Sequence, residues 1–299
     1  MSRTFLDIIR WKKLLYIVVI QFLFKICFLY NQGFSTRLSF FQFFLLSLST
    51  ICVLATGYLL SYSVRKKTHK YLKFGAKRAL KGAVLTGVLG VFFCVVISFS
   101  IGKPQYSLIA VISVLIVSVY SYYITQKTFF TNLINSFIKV LSILIIWWFD
   151  TPINSNELQW EIYFRFELIT VFYMSLSFVG NIVRETVKDI VNINQDYECN
   201  YRTIPILLGR RRAKYIALII SVLGCVAIFT VAVIFIKNKF ILSTILFLGT
   251  FPQLYFIYSL MNAKSDKEYK RALKISDFAY GAAVASVPVV AYYFRYVIQ

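Results

Sequence analysis

The stretch of the sequence best suited to chemistry runs from Asn181 to Gly209 and reads NIVRETVKDIVNINQDYECNYRTIPILLG. Residues of an α-helix advance by about 100° each, so a helix continuing through this stretch brings Glu185, Asp189 and Asp196 to one face. Such a face offers carboxylate oxygens, and Mg²⁺ usually joins one or two carboxylates to the phosphate oxygens of a substrate. These three acidic residues are therefore candidate metal ligands.

Basic side chains accompany these carboxylates. Arg184, Lys188 and Arg202 lie in the same stretch, and guanidinium and ammonium groups are common partners of phosphate. They are candidates for holding the remaining charge of a phosphate or diphosphate group. An amphipathic helix end with ordinary ion pairs, such as Glu185 with Lys188, explains the same spacing. Spacing alone does not decide between these interpretations.

The elements that must position these groups are membrane helices. The chain has 299 residues, of which 59% are hydrophobic and 15% charged, with a mean hydropathy of +0.71. Apolar runs of about 20 residues, the length that crosses a bilayer, recur along it. The sequence predicts an all-α polytopic membrane protein, one domain over 1–299, with about nine transmembrane helices near 14–31, 39–63, 82–101, 106–124, 130–148, 162–182, 214–236, 240–261 and 277–296.

The basic residues predict the orientation of these helices. Lys and Arg crowd into the amino terminus and the loops 65–81, 184–214 and 264–274, and they are sparse in the alternate loops. By the positive-inside rule the amino terminus is cytoplasmic, and an odd number of spans leaves the carboxyl terminus outside. We expect an integral protein of a bacterial-type inner membrane.

Several classes of function are disfavoured by composition. The net charge of +21 is divided among short loops, which accounts for it by topology and predicts no nucleic-acid partner. The five cysteines form no CxxC pair and there is one histidine, so we predict neither a zinc site nor a redox motif. No repeated pair of helices broken by Gly or Pro indicates a transporter site.

Two lysines, Lys25 and Lys139, fall within predicted spans. Charge inside a membrane is costly and is by default a sign of function. A lysine near a helix end also reaches the interface by extending its side chain, which is the alternative explanation. Neither lysine enters the predicted site.

The stretch described above resembles the second acidic motif of the UbiA-type intramembrane prenyltransferases, in which an Arg-Glu-x-x-Lys-Asp helix leads into a Thr-x-Pro…Gly turn. Within this family, the sequence most resembles the geranylgeranylglycerol-phosphate geranylgeranyltransferase-like members. Further similarities are the ATGYLL stretch at 55–60, YSYYITQK at 120–127 before Asn132, and the Ile9-Arg10-Trp11-Lys12 segment. The motif itself is carried by Arg184, Glu185, Lys188, Asp189, Asp196, Thr203, Pro205 and Gly209.

The resemblance implies a UbiA-like helical bundle that transfers an isoprenoid chain from a prenyl diphosphate to a lipid-soluble acceptor, with Mg²⁺ as cofactor and membrane lipid around it. The implied catalytic and metal-binding residues are Asp189, Asp196 and Glu185. The implied diphosphate-binding residues are Arg184, Lys188 and Arg202, with Arg65 and Lys66 added from the basic loop.

The first acidic motif of that family, Asn-Asp-x-x-Asp-x-x-x-Asp, is missing. No Asp or Glu occurs between Asp7 and Asp150, and the register places Ser61, Tyr62, Arg65 and His69 at the motif positions. Arg65 and Lys66 either contact diphosphate directly in place of a metal or belong to a polybasic loop attracted to anionic lipid. The alternative function is a catalytically inactive family member that binds isoprenoid lipid or a membrane partner.

Overall fold

The computed structural model of the chain describes residues 5–64, 75–121, 130–153, 156–198, 201–235 and 239–296. These described ranges are helical, contain no β-strand, and include one isolated bridge between Thr36 and Pro152. The helices are α1 (Phe5–Ile8), α2 (Trp11–Phe24), α3 (Phe40–Val64), α4 (Ala76–Ser100), α5 (Ser107–Val119), α6 (Thr131–Phe149), α7 (Glu157–Val191), α8 (Ile193–Glu198), α9 (Ile204–Leu208), α10 (Arg210–Phe235), α11 (Lys239–Ile245), α12 (Phe251–Asn262) and α13 (Asp266–Tyr296).

Eight helical stretches among the described residues are long and apolar enough to cross a membrane. The one remaining predicted span, 106–124, is the fourth along the chain and corresponds to the shorter apolar stretch Pro104–Val119. The all-α polytopic fold is therefore confirmed, and about nine spans is close to the count. Bilayer-spanning helices satisfy every backbone hydrogen bond within themselves, which is why apolar length alone predicts them.

Contacts divide the chain into two compact units, and the predicted single domain over 1–299 stays a prediction. The first unit comprises Met1–Phe22, Ser35–Thr128 and Leu141–Asn154. In it α3 packs along α4, and Ile8, Leu59, Tyr62, Ala79 and Ala83 form a buried apolar cluster. Tyr62 is thus a core residue.

Close approach of α3 to α5 in this unit depends on Gly57, within the ATGYLL stretch. The hydroxyl of Ser121 donates a 3.0 Å hydrogen bond to the Gly57 carbonyl. A Cβ atom at position 57 would overlap the side chain of Val117. We expect Gly57→Ala to lower the free energy of unfolding by about 1–3 kcal/mol, the usual cost of overpacking a core.

Thermal unfolding in detergent measures this effect, with Gly180→Ala as the matched control. A Cβ at Gly180, inside α7, would have no neighbour within 4 Å. The control is expected to melt at or above the wild-type temperature because Ala is a better helix former than Gly by about 1 kcal/mol. Equal melting temperatures for the two variants would contradict the close-approach explanation.

The second unit comprises Leu23–Phe34, Phe129–Val140 and Ser155–Gln299. Its core lies among α7, α10, α12 and α13, where Val183, Val187, Ala213, Phe256 and Leu260 are buried together. Polar contacts also join α7 to α13: the hydroxyls of Tyr173 and Ser286 are 2.6 Å apart, and Ser177 bonds Tyr280.

Helix α7 carries the acidic motif beyond the apolar part of its span. It begins at a capping box formed by Asn156 and Gln159 and continues for 35 residues to Val191. At 1.5 Å per residue its length is about 52 Å, well above the ~30 Å of a hydrocarbon core. The last turns of α7 therefore form a polar extension of an apolar helix.

The predicted continuation of this helix through the whole motif is interrupted at Asn192, which ends α7 before the short helix α8 begins. A second short helix, α9, follows with Pro205 in its first turn. Pro suits this position because the first helical N–H groups lack intrahelical partners. Gly209 ends α9 at φ +86°, a conformation that favours glycine. The Thr-x-Pro…Gly turn is thus a helix start followed by a helix stop.

Candidate functional site

The site is built on the polar end of α7 and on the face of α6 that contacts it. Asp189 lies one helical turn beyond Glu185, so both carboxylates share a face of α7. The side-chain amide of Asn132, on α6, donates a 2.8 Å hydrogen bond to Oδ2 of Asp189. This bond orients one carboxylate oxygen of Asp189.

Glu185 is enclosed by cations. Its side chain is 3% exposed, Oε1 lies 2.9 Å from Nζ of Lys139, and Oε2 lies 2.8 Å from Nζ of Lys188. Nη1 of Arg184 is 3.9 Å from Oε1. The ion pair of Glu185 with Lys188, which the ordinary amphipathic interpretation predicts, is present. Lys139 joins it from α6, so the arrangement extends beyond one helix.

Arg184 faces a different carboxylate. Its Nε donates a hydrogen bond to Oδ1 of Asp277 on α13, and its side chain is partly exposed. This contact holds the guanidinium group of Arg184 beside the carboxylates of α7. The other N–H groups of the guanidinium can donate to further acceptors.

The remaining motif residues follow α7. Asp196, on α8, is close enough to Asp189 for their charges to interact. The backbone N–H of Tyr201 donates a 3.0 Å bond to the Asp196 carbonyl, which ties the next segment to α8. Arg202 follows Tyr201 directly and is exposed. Asp189, Asp196, Arg184, Lys188 and Arg202 therefore belong to one stretch of the second unit.

The fit of these side chains to Mg²⁺ differs among them. Asp189 and Asp196, whose charges interact, offer two carboxylates, and Mg²⁺ usually takes one or two from a protein when substrate phosphates and waters complete its shell. Both oxygens of Glu185 already accept ammonium groups, which makes Glu185 a poor additional ligand. No group of three or more His, Cys, Asp or Glu side chains able to hold a metal is found in the described ranges. The predicted metal role of Glu185 stays a prediction.

The other predicted substrate residues, Arg65 and Lys66, lie outside the described residues, as does His69. Ser61 and Tyr62, at the first positions of the missing motif, lie in α3. The role of Arg65 and Lys66 in binding diphosphate therefore stays a prediction.

Sequence reasoning left three residues of this site without a role. In the sequence, Asn132 stands out only as part of the resemblance, and Lys139 only as a charge within a predicted span. No sequence pattern indicates a role for Asp277. The useful signal is the position of Lys139 inside the apolar helix α6, because a charge within a membrane span is costly unless it has a partner.

Comparison with known proteins bears on this site. The model of the UbiA prenyltransferase family matches residues 73–282, well over half of the chain. The chain belongs to the UbiA prenyltransferase family. The match includes the stretch from Asn181 to Gly209 and begins after His69.

Individual relatives agree with the family. The digeranylgeranylglyceryl phosphate synthases of Thermococcus kodakarensis and Thermococcus gammatolerans are each 42% identical to this chain over 53 residues, 18% of this chain. The match spans 19% of each relative. It therefore supports the family membership and leaves the full activity open.

Solved structures extend the similarity to the whole fold. A structure from a study of digeranylgeranylglyceryl phosphate synthase in membranes covers 96% of this chain and 97% of its own, with a TM-score of 0.68 and 16% identity. A UbiA homologue from Archaeoglobus fulgidus, solved with DMAPP and Mg²⁺, covers 96% and 100% with a TM-score of 0.60 and 13% identity. Its complex with GPP and Mg²⁺ has a TM-score of 0.57 at 13% identity. At these identities the UbiA fold is what is shared.

Proposed function

We propose that this UbiA family member transfers an isoprenoid chain from a prenyl diphosphate to a lipid-soluble acceptor. The observation that carries the proposal is the Asp189 carboxylate, oriented by Asn132 at 2.8 Å with Asp196 nearby. The family membership and the similarity to digeranylgeranylglyceryl phosphate synthases support geranylgeranyl diphosphate as donor and a glycerol-phosphate lipid as acceptor.

Each side chain has a task in this reaction. Asp189 and Asp196 would hold Mg²⁺, which when bound screens the charge of the leaving diphosphate. Lys188 and Arg202 bind the outer diphosphate oxygens. Arg184, steadied by Asp277, presents its remaining N–H groups to the same anion.

The reaction itself needs little covalent help from the protein. The bond between the first prenyl carbon and the diphosphate oxygen breaks, and its electron pair leaves with diphosphate. A nucleophilic atom of the acceptor bonds to that carbon and gives up its proton. Cations preorganised around the departing anion stabilise this transition state, and in enzymes such stabilisation is often the largest single term.

The basic loop completes the proposal. Arg65 and Lys66 would contact diphosphate directly, in place of the first acidic motif of the family and of the metal that this motif binds. Lysine and arginine side chains cannot bind Mg²⁺ as carboxylates do, so a site of this kind relies on metal at the second motif only.

A second candidate function rests on one observation. No acidic residue occurs between Asp7 and Asp150, so no shift of register restores the first motif. The alternative is a catalytically inactive family member that binds an isoprenoid lipid or a membrane partner. Shared fold does not by itself establish chemistry.

Turnover of labelled geranylgeranyl diphosphate by the detergent-purified protein, with and without Mg²⁺, separates these functions. We expect Mg²⁺-dependent product with a geranylgeranylglycerol-phosphate acceptor and its loss in the Asp189→Ala variant. Binding without product would establish the lipid-binding alternative. Neither binding nor product would leave only the fold in common with the family.

The protein is an integral membrane protein, as its apolar helices and family indicate. We propose further that it resides in a bacterial-type inner membrane with its amino terminus in the cytoplasm and its carboxyl terminus outside. This orientation places the basic loop 65–81 and the end of α7 on the cytoplasmic side. Cysteine labelling from either side of sealed vesicles tests it.

A further inference from the structure

An apolar groove lies between α3, α4 and α5 in the first unit. Its volume is about 610 Å³, within the ~300–1,000 Å³ typical of ligand pockets. Thr56, Ala83 and Gly87 are buried and form its floor. Val88 and Phe92 on α4 stand at its rim and are 62% and 57% exposed. The groove therefore opens to the outside of the protein, which along an apolar spanning helix such as α4 is membrane hydrocarbon.

The groove presents an apolar surface because its floor is made of small residues. A Cβ atom at Gly87 would lie 3.5 Å from Oγ1 of Thr56 and 3.7 Å from Cγ1 of Val114, so bare backbone of α4 faces the other two helices. The hydroxyl of Thr56 donates to the Cys52 carbonyl at 2.9 Å and lies 3.0 Å from the hydroxyl of Thr86. With that hydroxyl satisfied, a hydrocarbon chain suits the floor better than a polar molecule.

Two lysines continue the groove side of α4 toward the start of the helix. Lys77 and Lys81 precede Val84 and Val88 at the i, i+4, i+7 and i+11 positions, so the four residues form one stripe. Both lysines are exposed. Helices α3, α4 and α5 contain no Asp or Glu, so these helices provide no carboxylate for either lysine. The groove is thus apolar along its length and positively charged at one end.

The length of the groove matches one leaflet of a bilayer. From Lys81 to Phe92 helix α4 rises by about 16 Å. Half of a hydrocarbon core is about 15 Å thick. A lipid chain that begins at the level of the lysines therefore reaches along the whole groove.

We propose that this groove binds an anionic membrane phospholipid, with one hydrocarbon chain in the groove and the headgroup phosphate at Lys77 and Lys81. Basic residues beside a membrane attract anionic lipid, and the groove adds a defined contact for the chain that a solvated basic segment lacks. The bound chain packs against α3, α4 and α5 together. The site lies within the first unit and does not depend on the proposed reaction.

Native mass spectrometry of the detergent-purified full-length protein tests the headgroup contact, with phosphatidylglycerol and phosphatidylcholine of identical chains as probes. We expect phosphatidylglycerol to bind about 10- to 30-fold more tightly, because each lysine near an anionic headgroup contributes about fivefold in affinity. Lys77→Gln and Lys81→Gln should each weaken its binding about fivefold. Arg78→Gln is the matched control: Arg78 is exposed in the same turn but points about 100° away from Lys77, and its loss should change the affinity less than about twofold.

The chain contact is tested by filling the groove. Val88→Trp should weaken phosphatidylglycerol binding by about 10-fold or more, because contacts made in a membrane depend on close packing. Leu85→Trp is the control, since Leu85 is 61% exposed on α4 and does not line the groove. Ser118→Phe enters the same groove from α5 and provides a second test if Val88→Trp does not fold.

The possible results separate this site from the alternatives. Equal affinities for the two lipids would overturn the proposal. Equal binding by Val88→Trp, Ser118→Phe and Leu85→Trp would also overturn it, because only attraction to a charged surface would then remain. Displacement of the bound phosphatidylglycerol by an equimolar amount of geranylgeranyl diphosphate or of inorganic phosphate would assign the site to that anion in place of a phospholipid.

Discussion

Replacing both Asp189 and Asp196 by alanine is expected to abolish Mg²⁺-dependent prenyl transfer. No Asp or Glu occurs between Asp7 and Asp150, so these two carboxylates are the metal ligands in the proposed reaction. Removing one preorganised electrostatic partner of a transition state typically costs about 10²–10³ in rate. The loss of both carboxylates should therefore take the rate below detection in a labelled-substrate assay.

The control for this double variant is Asp266→Ala. Asp266 is 53% exposed and pairs at 2.9 Å with Arg210, the residue that follows Gly209. Its removal takes away one negative charge from the same unit, and we expect the transfer rate to stay within about twofold of wild type because exposed ion pairs contribute little. Prenyl transfer that survives in the Asp189 and Asp196 double variant would rule out the proposed metal site.

The second large effect concerns folding. Glu185→Ala is expected to lower the free energy of unfolding by about 3–5 kcal/mol, the range found when one partner of a buried ion pair is removed. The cause is Lys139, whose side chain is 11% exposed and whose ammonium group would lose the carboxylate of Glu185. Unfolding in detergent, followed by circular dichroism, measures the change.

An exposed ion pair on the same helix provides the comparison. Glu161 and Arg165 lie 2.7 Å apart with side chains 59% and 56% exposed, so Glu161→Ala should change stability by less than about 1 kcal/mol. Adding Lys139→Met to Glu185→Ala removes the uncompensated charge and should recover part of the loss. If Glu185→Ala and Glu161→Ala unfold alike, Glu185 is not the centre of a buried charge cluster.

The helical architecture could be predicted from the sequence because it depends on local composition. An apolar run of sufficient length has to form a helix in lipid, since unsatisfied backbone groups are costly there. The spans of α3 and α4 follow from this, whereas the extension of α7 past its apolar part is indicated by the helical spacing of Glu185 and Asp189. The boundary at Asn192 follows from neither, because a one-residue interruption of a helix leaves little trace in hydropathy.

Only the part of the site that lies on α7 and α8 could be predicted from the sequence. Glu185, Asp189 and Asp196 are neighbours along the chain, so helical spacing was enough to bring them together. Their partners are distant in sequence: Lys139 is 46 residues from Glu185, and Asn132 is 57 residues from Asp189. The periodicity of a single helix cannot predict contacts between residues on two different helices.

By itself, the sequence determined that this protein is a helical membrane protein of the UbiA family. Both properties depend on the composition and order of residues that are neighbours along the chain. Only the tertiary structure decided which groups surround each carboxylate. Glu185 and Asp189 look equivalent on one helical face, but α6 brings an ammonium group to the first and a neutral amide to the second. Because electrostatic interaction depends on distance through space, these contacts between helices give two similar residues different surroundings.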